Sequence, residues 1–148
     1  MDLWRLTLYP TLDGEGGRLY PGRWNSGGVP VVYLAASPPG ALIEILVHLE
    51  LKRSELPPHY ILMRVSVPSK LRIPLLRVQP GDEWKSDVAH TRGVGDRWLD
   101  SKRSALARVP SAIVPYTFNY LLNPMHPDAV RISIAEVYRA PLDLRLLR

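Results

Sequence analysis

Val109-Pro110-Ser111-Ala112-Ile113-Val114-Pro115, followed closely by Asn119-Tyr120-Leu121-Leu122-Asn123-Pro124-Met125-His126-Pro127-Asp128, combines features that seldom share a segment. A core strand has no use for so many prolines and amides, and a solvent loop has no use for so many apolar residues. Each proline fixes φ and removes a backbone donor, so the segment must be held in shape by something other than an uninterrupted ladder. A rigid, half-buried backbone carrying Ser111, Asn119 and Asn123 is one way to present polar groups inside a pocket; an irregular connection with satisfied amides is the plainer alternative. Fifteen prolines in the chain repeat the message: irregular connections are many, which argues for a mixed chain over a helical bundle.

On either side the pattern is that of strands. Leu3 to Leu8 alternates, placing Trp4, Leu6 and Leu8 on one side and Arg5 on the other. Residues 10–28 hold six glycines without periodicity and read as a loop. Val29 to Ala35 reads as a strand. Ser37 is placed to cap a helix that opens on Pro38 or Pro39 and runs to about Leu51, with Leu42, Ile45, Leu46 and Leu49 at helical spacing. Tyr60 to Val67 is a strand stopped by Pro68, and residues 74–90 are ambiguous. Gly95 to Ser101 reads as a short helix with Trp98 and Leu99 inward. Ala105–Val109 and Ala112–Val114 read as two strand pieces broken at Pro110-Ser111, and Ile132–Tyr138 as a late strand. Strands outnumber helices and few are separated by a crossover helix, so the fold class is α+β rather than doubly wound.

The chain has 148 residues, 46% of them hydrophobic, which suits one domain with a sizeable core. No linker, repeat or charge run divides it, and residues 1–148 are read as a single domain. The formal net charge of +5 favours an anionic partner, but the basic residues are scattered and do not interleave with aromatics as on a nucleic-acid surface. There are no cysteines, hence no disulfide, thiol nucleophile or zinc–thiolate site. No secretory signal and no bilayer-length apolar run is visible, which agrees with a cytoplasmic location.

Two further groups of residues bear chemistry. Glu44 lies in the apolar run Ala41-Leu42-Ile43-Glu44-Ile45-Leu46-Val47-His48, one helical turn before His48, either on a solvated stripe or at the edge of a cleft. Two such residues do not make a metal site. In Gly22-Arg23-Trp24-Asn25-Ser26-Gly27-Gly28 the glycines permit close backbone approach, Arg23 can grip phosphate oxygens, and Trp24 offers a stacking face or fills a core. The loop matches neither a P-loop nor a dinucleotide-binding glycine pattern. Tyr33 can stack on a ring or pack.

Taken in order, the loop at 22–28, Val31–Ala35, the run 41–48, Gly95–Leu99, the serine segment 109–115, the amide–proline segment 119–128 and Asp143-Leu144-Arg145-Leu146 resemble the RES-domain toxins. That family is named for an Arg, a Glu and a Ser and belongs to toxin–antitoxin pairs with Xre-type antitoxins. The resemblance spans nearly the whole chain and is loose over residues 52–90. It implies an ADP-ribosyltransferase-like mixed β-sheet core with a few helices, and destruction of NAD or transfer of its ADP-ribose. Arg5, Tyr33 and Glu44 fall where the superfamily places its Arg-or-His, aromatic and Glu positions, while Arg23 and Ser111 fall on the family's Arg and Ser motifs.

So read, Glu44, Arg5 and Ser111 are catalytic. Arg5, Arg23, Trp24, Tyr33, Ser111 and Asn119 bind NAD, which is substrate rather than cofactor. The implied partners are NAD and an Xre-type helix-turn-helix antitoxin, with room for a homodimer inside a larger complex, and neither nucleic acid nor membrane. The alternatives are transfer of ADP-ribose to a protein or nucleotide, and an RNA-cleaving toxin using Glu44 with His48 or His126. A serine hydrolase is disfavoured because Ser111 lacks a nucleophile elbow.

Overall fold

The computed structural model describes residues 1–48 and 56–147. Six strands, β1 (Asp2–Thr7), β2 (Val32–Ala35), β3 (His59–Ser66), β4 (Leu106–Pro110), β5 (Phe118–Leu122) and β6 (Ser133–Pro141), form one sheet in the order β4-β5-β2-β1-β3-β6. Among the described residues three α-helices accompany it: α1 (Glu15–Leu19), α2 (Pro38–His48) and α3 (Val88–Ser101). The α+β class is borne out. All five strand pairings are antiparallel, and among the described residues the parallel component is the single bridge between Leu75 and Arg108.

The sheet is two halves joined by one registered strand pair. β1 pairs with β3 at six consecutive positions and β2 pairs with β5 at four, but β1 and β2 meet only at Trp4 opposite Ala35. Beyond that pair the two strands part. The parting is tolerated because each strand is secured on its other edge, and because both faces of the sheet carry a packed core. On one face Leu3, Val32, Leu34, Met63, Val65, Leu106 and Leu122 form a continuous cluster across both halves. On the other, Trp98 and Leu99 of α3 pack with Ala107, Val109 and Leu121 of the β4-β5-β2 half, joined by Trp24 and Trp84. α2 lies against β1 and β2.

Local chemistry explains most boundaries. Ser37 caps α2 through Oγ, which accepts from Gly40 N at 3.1 Å, with prolines in the first two helical positions. The expected end of this helix, beyond His48, lies outside the described residues. α3 begins at Val88 rather than near Gly95, because Asp87 caps it by accepting from His90 N at 3.0 Å. Lys102 in the left-handed region ends it.

The serine segment departs from the expectation of two strand pieces. β4 continues through Pro110, whose missing N–H does no harm on the edge strand of the sheet, but Ala112–Val114 is a turn and not a strand. The reason is Ser111: its Oγ accepts from the backbone N–H groups of both Ile113 and Val114, at 3.1 Å each, which curls the chain out of extended geometry. The amide–proline segment, expected to be irregular, supplies β5 as a central strand before Asn123 and Pro124 stop it. The glycine-rich stretch 10–28 holds the short helix α1 and a bridge between Gly22 and Asn25, and β2 begins at Val32, three residues later than expected.

Candidate active site

A cleft of about 390 Å³ opens where β1 and β2 part. Consecutive residues of both strands line it: Trp4, Arg5 and Leu6 from one, Tyr33, Leu34 and Ala35 from the other. Neighbouring side chains on a strand point to opposite faces, so a groove on one face would take only alternate residues. Consecutive lining residues therefore mark a cleft at the parted strand edges, where backbone as well as side chains border it. α2 supplies one wall with Ala41, Glu44, Ile45, Val47 and His48; the loop Pro21–Trp24 and the segment Pro110–Ile113 supply the rest, with Asn119 on the floor.

The polar groups converge in pairs. Asn119 on β5 is registered against both Ala35 and Val109, and its Nδ2 donates to Glu44 Oε1 at 2.7 Å. Glu44 is thus at the cleft edge rather than on a solvated stripe. Arg5 enters from β1 with its Nη1 donating to the carbonyl of Thr11 at 3.1 Å. Among the described residues no carboxylate lies within salt-bridge distance of Arg5 or Arg23. Burial lowers the pKa of Arg5, and the charge of Asp13 partly opposes that shift. A half-buried guanidinium with no carboxylate in direct contact is a site for an anion.

Arg23 is held by a built frame. Its Nη1 donates to the carbonyl of Lys85 at 2.8 Å. Its own carbonyl accepts from Thr91 Oγ1 at 2.7 Å, and the preceding carbonyl, of Gly22, accepts from Arg92 Nε at 2.8 Å. Further along the loop, Asp96 accepts from Ser26 N at 3.0 Å and from Ser26 Oγ at 2.5 Å. Three residues of α3 therefore strap the loop down over one helical turn and a half. Sequence reading found the loop but not the strap, since Thr91, Arg92 and Asp96 acquire meaning only from a partner some 70 residues away.

Tyr33 and Asn25 complete the frame from below. The Tyr33 hydroxyl accepts from Trp24 N at 3.0 Å and donates to Asn25 Oδ1 at 2.5 Å; Asn25, fully buried, also accepts from Gly22 N at 3.0 Å and donates to the carbonyl of Gly17 at 2.8 Å. Burial raises the Tyr33 pKa strongly, the hydrogen bond from Trp24 opposing, so the phenol stays protonated. A β-carbon on Gly22 would stand 2.5 Å from the Tyr33 oxygen, so the loop can lie this close only with glycine there. Tyr33→Phe removes both bonds: Asn25 Oδ1 keeps only the Gly22 N–H, and the Trp24 N–H loses its acceptor. We expect a loss of about 1–3 kcal/mol in chemical denaturation, with unchanged secondary structure by circular dichroism.

The remaining candidates sit differently from expectation. Trp24 is a core residue, 3% exposed and 6.1 Å from the Trp84 ring, and reaches the cleft only as part of its wall. Ser111 is buried and does not line the cleft, since its oxygen caps the turn that follows; its neighbours Pro110 and Ala112 do. Asn123 is buried with its amide donating to the Leu99 carbonyl at 3.4 Å, and His126 Nδ1 accepts from Asp128 N at 3.0 Å, so both are structural. His48 lines the cleft mouth. Among the described residues no group of three potential metal ligands occurs, and no helix is long and apolar enough to cross a membrane.

The fold and cleft define a split-sheet α+β domain with a carboxylate and two guanidiniums around one cleft. The chain belongs to the RES domain family, which it matches over residues 2–143. It is 47% identical over 137 residues to Toxin Res of Pseudomonas putida, covering 90% of this chain and 92% of that protein. It is 37% identical over 142 residues to the Prs ADP-ribosylating toxin of Sphingobium sp., covering 93% and 87%. Among solved structures, the crystal structure of the M. tuberculosis MbcT-MbcA toxin-antitoxin complex contains a chain of the same fold. It superposes with a TM-score of 0.73 at 18% identity, over 95% of this chain and 84% of that one.

Proposed function

We propose that this protein is the toxin of a toxin–antitoxin pair and that its cleft binds NAD and breaks the nicotinamide–ribose bond. The observation that carries the reading is Glu44, held by Asn119 in a cleft that also presents the unpaired Arg5. The kinship with an ADP-ribosylating toxin supports the choice of donor.

The chemistry suits a single carboxylate. Cleavage passes through an oxocarbenium-like state, as in glycoside hydrolysis. Nicotinamide leaves neutral, so no general acid is needed and one anion suffices. Glu44 then binds the ribose hydroxyls and offsets the growing positive charge. Arg5 and Arg23 hold the pyrophosphate by their planar forks. Tyr33 and Ser111 serve as positioning residues, Tyr33 under the Arg23 loop and Ser111 by shaping the Pro110–Ile113 wall. Water as acceptor makes the reaction a glycohydrolase, phosphate a phosphorylase, and a protein or nucleotide a transferase. An Xre-type antitoxin is the partner that keeps the cleft covered, the net charge of +5 favouring an acidic covering segment.

The test is incubation of the purified protein with NAD, with and without phosphate, and identification of products by mass. Release of nicotinamide is expected; intact NAD alongside an altered RNA or protein would refute the reading. In the same assay Arg5→Ala and Arg23→Ala should each weaken NAD binding by about 1.5–3 kcal/mol, the worth of a charged hydrogen bond. Lysine at either position should rescue only in part, because a point charge does not reproduce the fork. Full rescue at both would contradict the assignment.

A further inference from the structure

We infer that Asn119 is a positioning residue that acts through Glu44, setting which carboxylate oxygen meets the substrate, and is not itself a ligand of the dinucleotide. The inference rests on the reading of Glu44 as the residue that stabilises charge.

Glu44 has three side-chain torsions and sits on a helix in which only Ala41 is buried, so its own backbone restrains the carboxylate little. Asn119 is the opposite. It lies on a central strand, paired on one side with Ala35 and on the other with Val109, and it has a short side chain. Its amide group reaches across to α2 and donates to Oε1 at 2.7 Å. The direction of that bond is fixed by chemistry, since an ionised carboxylate can only accept. Asn119 is the one side-chain partner of the Glu44 carboxylate among the described residues, and Glu44 the one partner of the Asn119 amide. One oxygen of Glu44 is therefore tied to the sheet, and Oε2 is left for the ribose.

A group that must face a developing positive charge gains from being held before the reaction, because reorientation then costs nothing at the barrier. Loss of the tether leaves the carboxylate present but disordered. Turnover should suffer while binding, which depends on the arginines, should not.

The test is a double-mutant cycle on the full chain with Glu44→Ala, Asn119→Ala and the pair, each checked for an unchanged unfolding midpoint. Asn119→Ala should lower kcat by about tenfold with KM within about twofold, and should cost less than about twofold when Glu44 is already alanine. Losses that multiply, or a raised KM with kcat intact, would show a direct substrate contact and overturn the inference. If Asn119→Ala fails to fold, Asn119→Asp keeps the shape, removes the donor and sets two carboxylates together. Its kcat should fall at least as far as that of Asn119→Ala, and wild-type turnover would overturn the inference. Intact NAD with wild-type protein would instead refute the NAD reading. The same cycle is then scored on growth arrest in cells, where coupled losses support the tether and independent losses overturn it.

Discussion

Replacing Glu44 by glutamine is expected to cut NAD turnover by about a hundredfold or more while leaving NAD affinity nearly unchanged, the effect of removing one electrostatic stabiliser of the transition state. Glutamine keeps the length, the volume and an oxygen that accepts from Asn119 Nδ2, so the 2.7 Å contact across the cleft survives. What is lost is the negative charge. A neutral amide still hydrogen-bonds a ribose hydroxyl in the ground state, hence the small effect on binding, but it does little against the positive charge of the oxocarbenium-like state. Steady-state kinetics with calorimetric NAD binding separate the two. Equal kcat for variant and wild type would remove Glu44 from the mechanism, and an equal fall in affinity would make it a binding residue. In cells the same substitution should relieve growth arrest caused by the wild-type protein expressed alone.

Glu44 also shows how far the sequence could be read. Its position in an apolar run marked it as either a solvated stripe or a cleft edge, and no local rule chooses between them. The choice depends on Asn119, 75 residues away, and so on a sheet order that places β5 beside β2. The α+β class, β1, β3, the Ser37-capped start of α2 and the late strand follow from alternation, caps and proline stops, all of which act within a few residues. What failed to show was non-local. The parting of β1 from β2 leaves no trace in either strand's pattern, because each remains a good strand on its paired edge. Phe118–Leu122 was masked by the prolines and amides around it, although it alternates Phe118, Tyr120 and Leu122 with Asn119 and Leu121. Trp24 reads from the sequence as a stacking face or a core residue and Ser111 as a catalytic group; burial places Trp24 in the core while it still forms part of the cleft wall, and turn geometry engages the Ser111 oxygen.

Gly95→Ala should be the most damaging small substitution in the protein, because α3 is pressed onto the loop it straps. Gly95 lies in the middle of α3 where alanine would ordinarily improve helix propensity by about 1 kcal/mol. Here a β-carbon would stand 1.7 Å from the Trp24 carbonyl oxygen and 2.7 Å from its carbonyl carbon, both backbone atoms that no rotamer change can move. Either α3 withdraws or the loop does. If the loop moves, the bonds from Thr91 and Arg92 and those to Asp96 are strained together, with Arg23 at their centre. If α3 moves, Trp98 and Leu99 lose their fit against β4 and β5. Overpacking against fixed backbone puts the expected loss on the order of 3 kcal/mol or more, about 10 °C in melting temperature for a chain of this size. Thermal unfolding of Gly95→Ala beside Gly93→Ala is the check. At Gly93 a β-carbon meets only the Arg97 guanidinium, at 3.3 Å, and that side chain can swing aside. Gly93→Ala should therefore melt near wild type, and in partly folded Gly95→Ala preparations NAD binding should be lost before secondary structure, since the Arg23 frame yields first. Equal stability of the two variants would mean that α3 does not fix the loop.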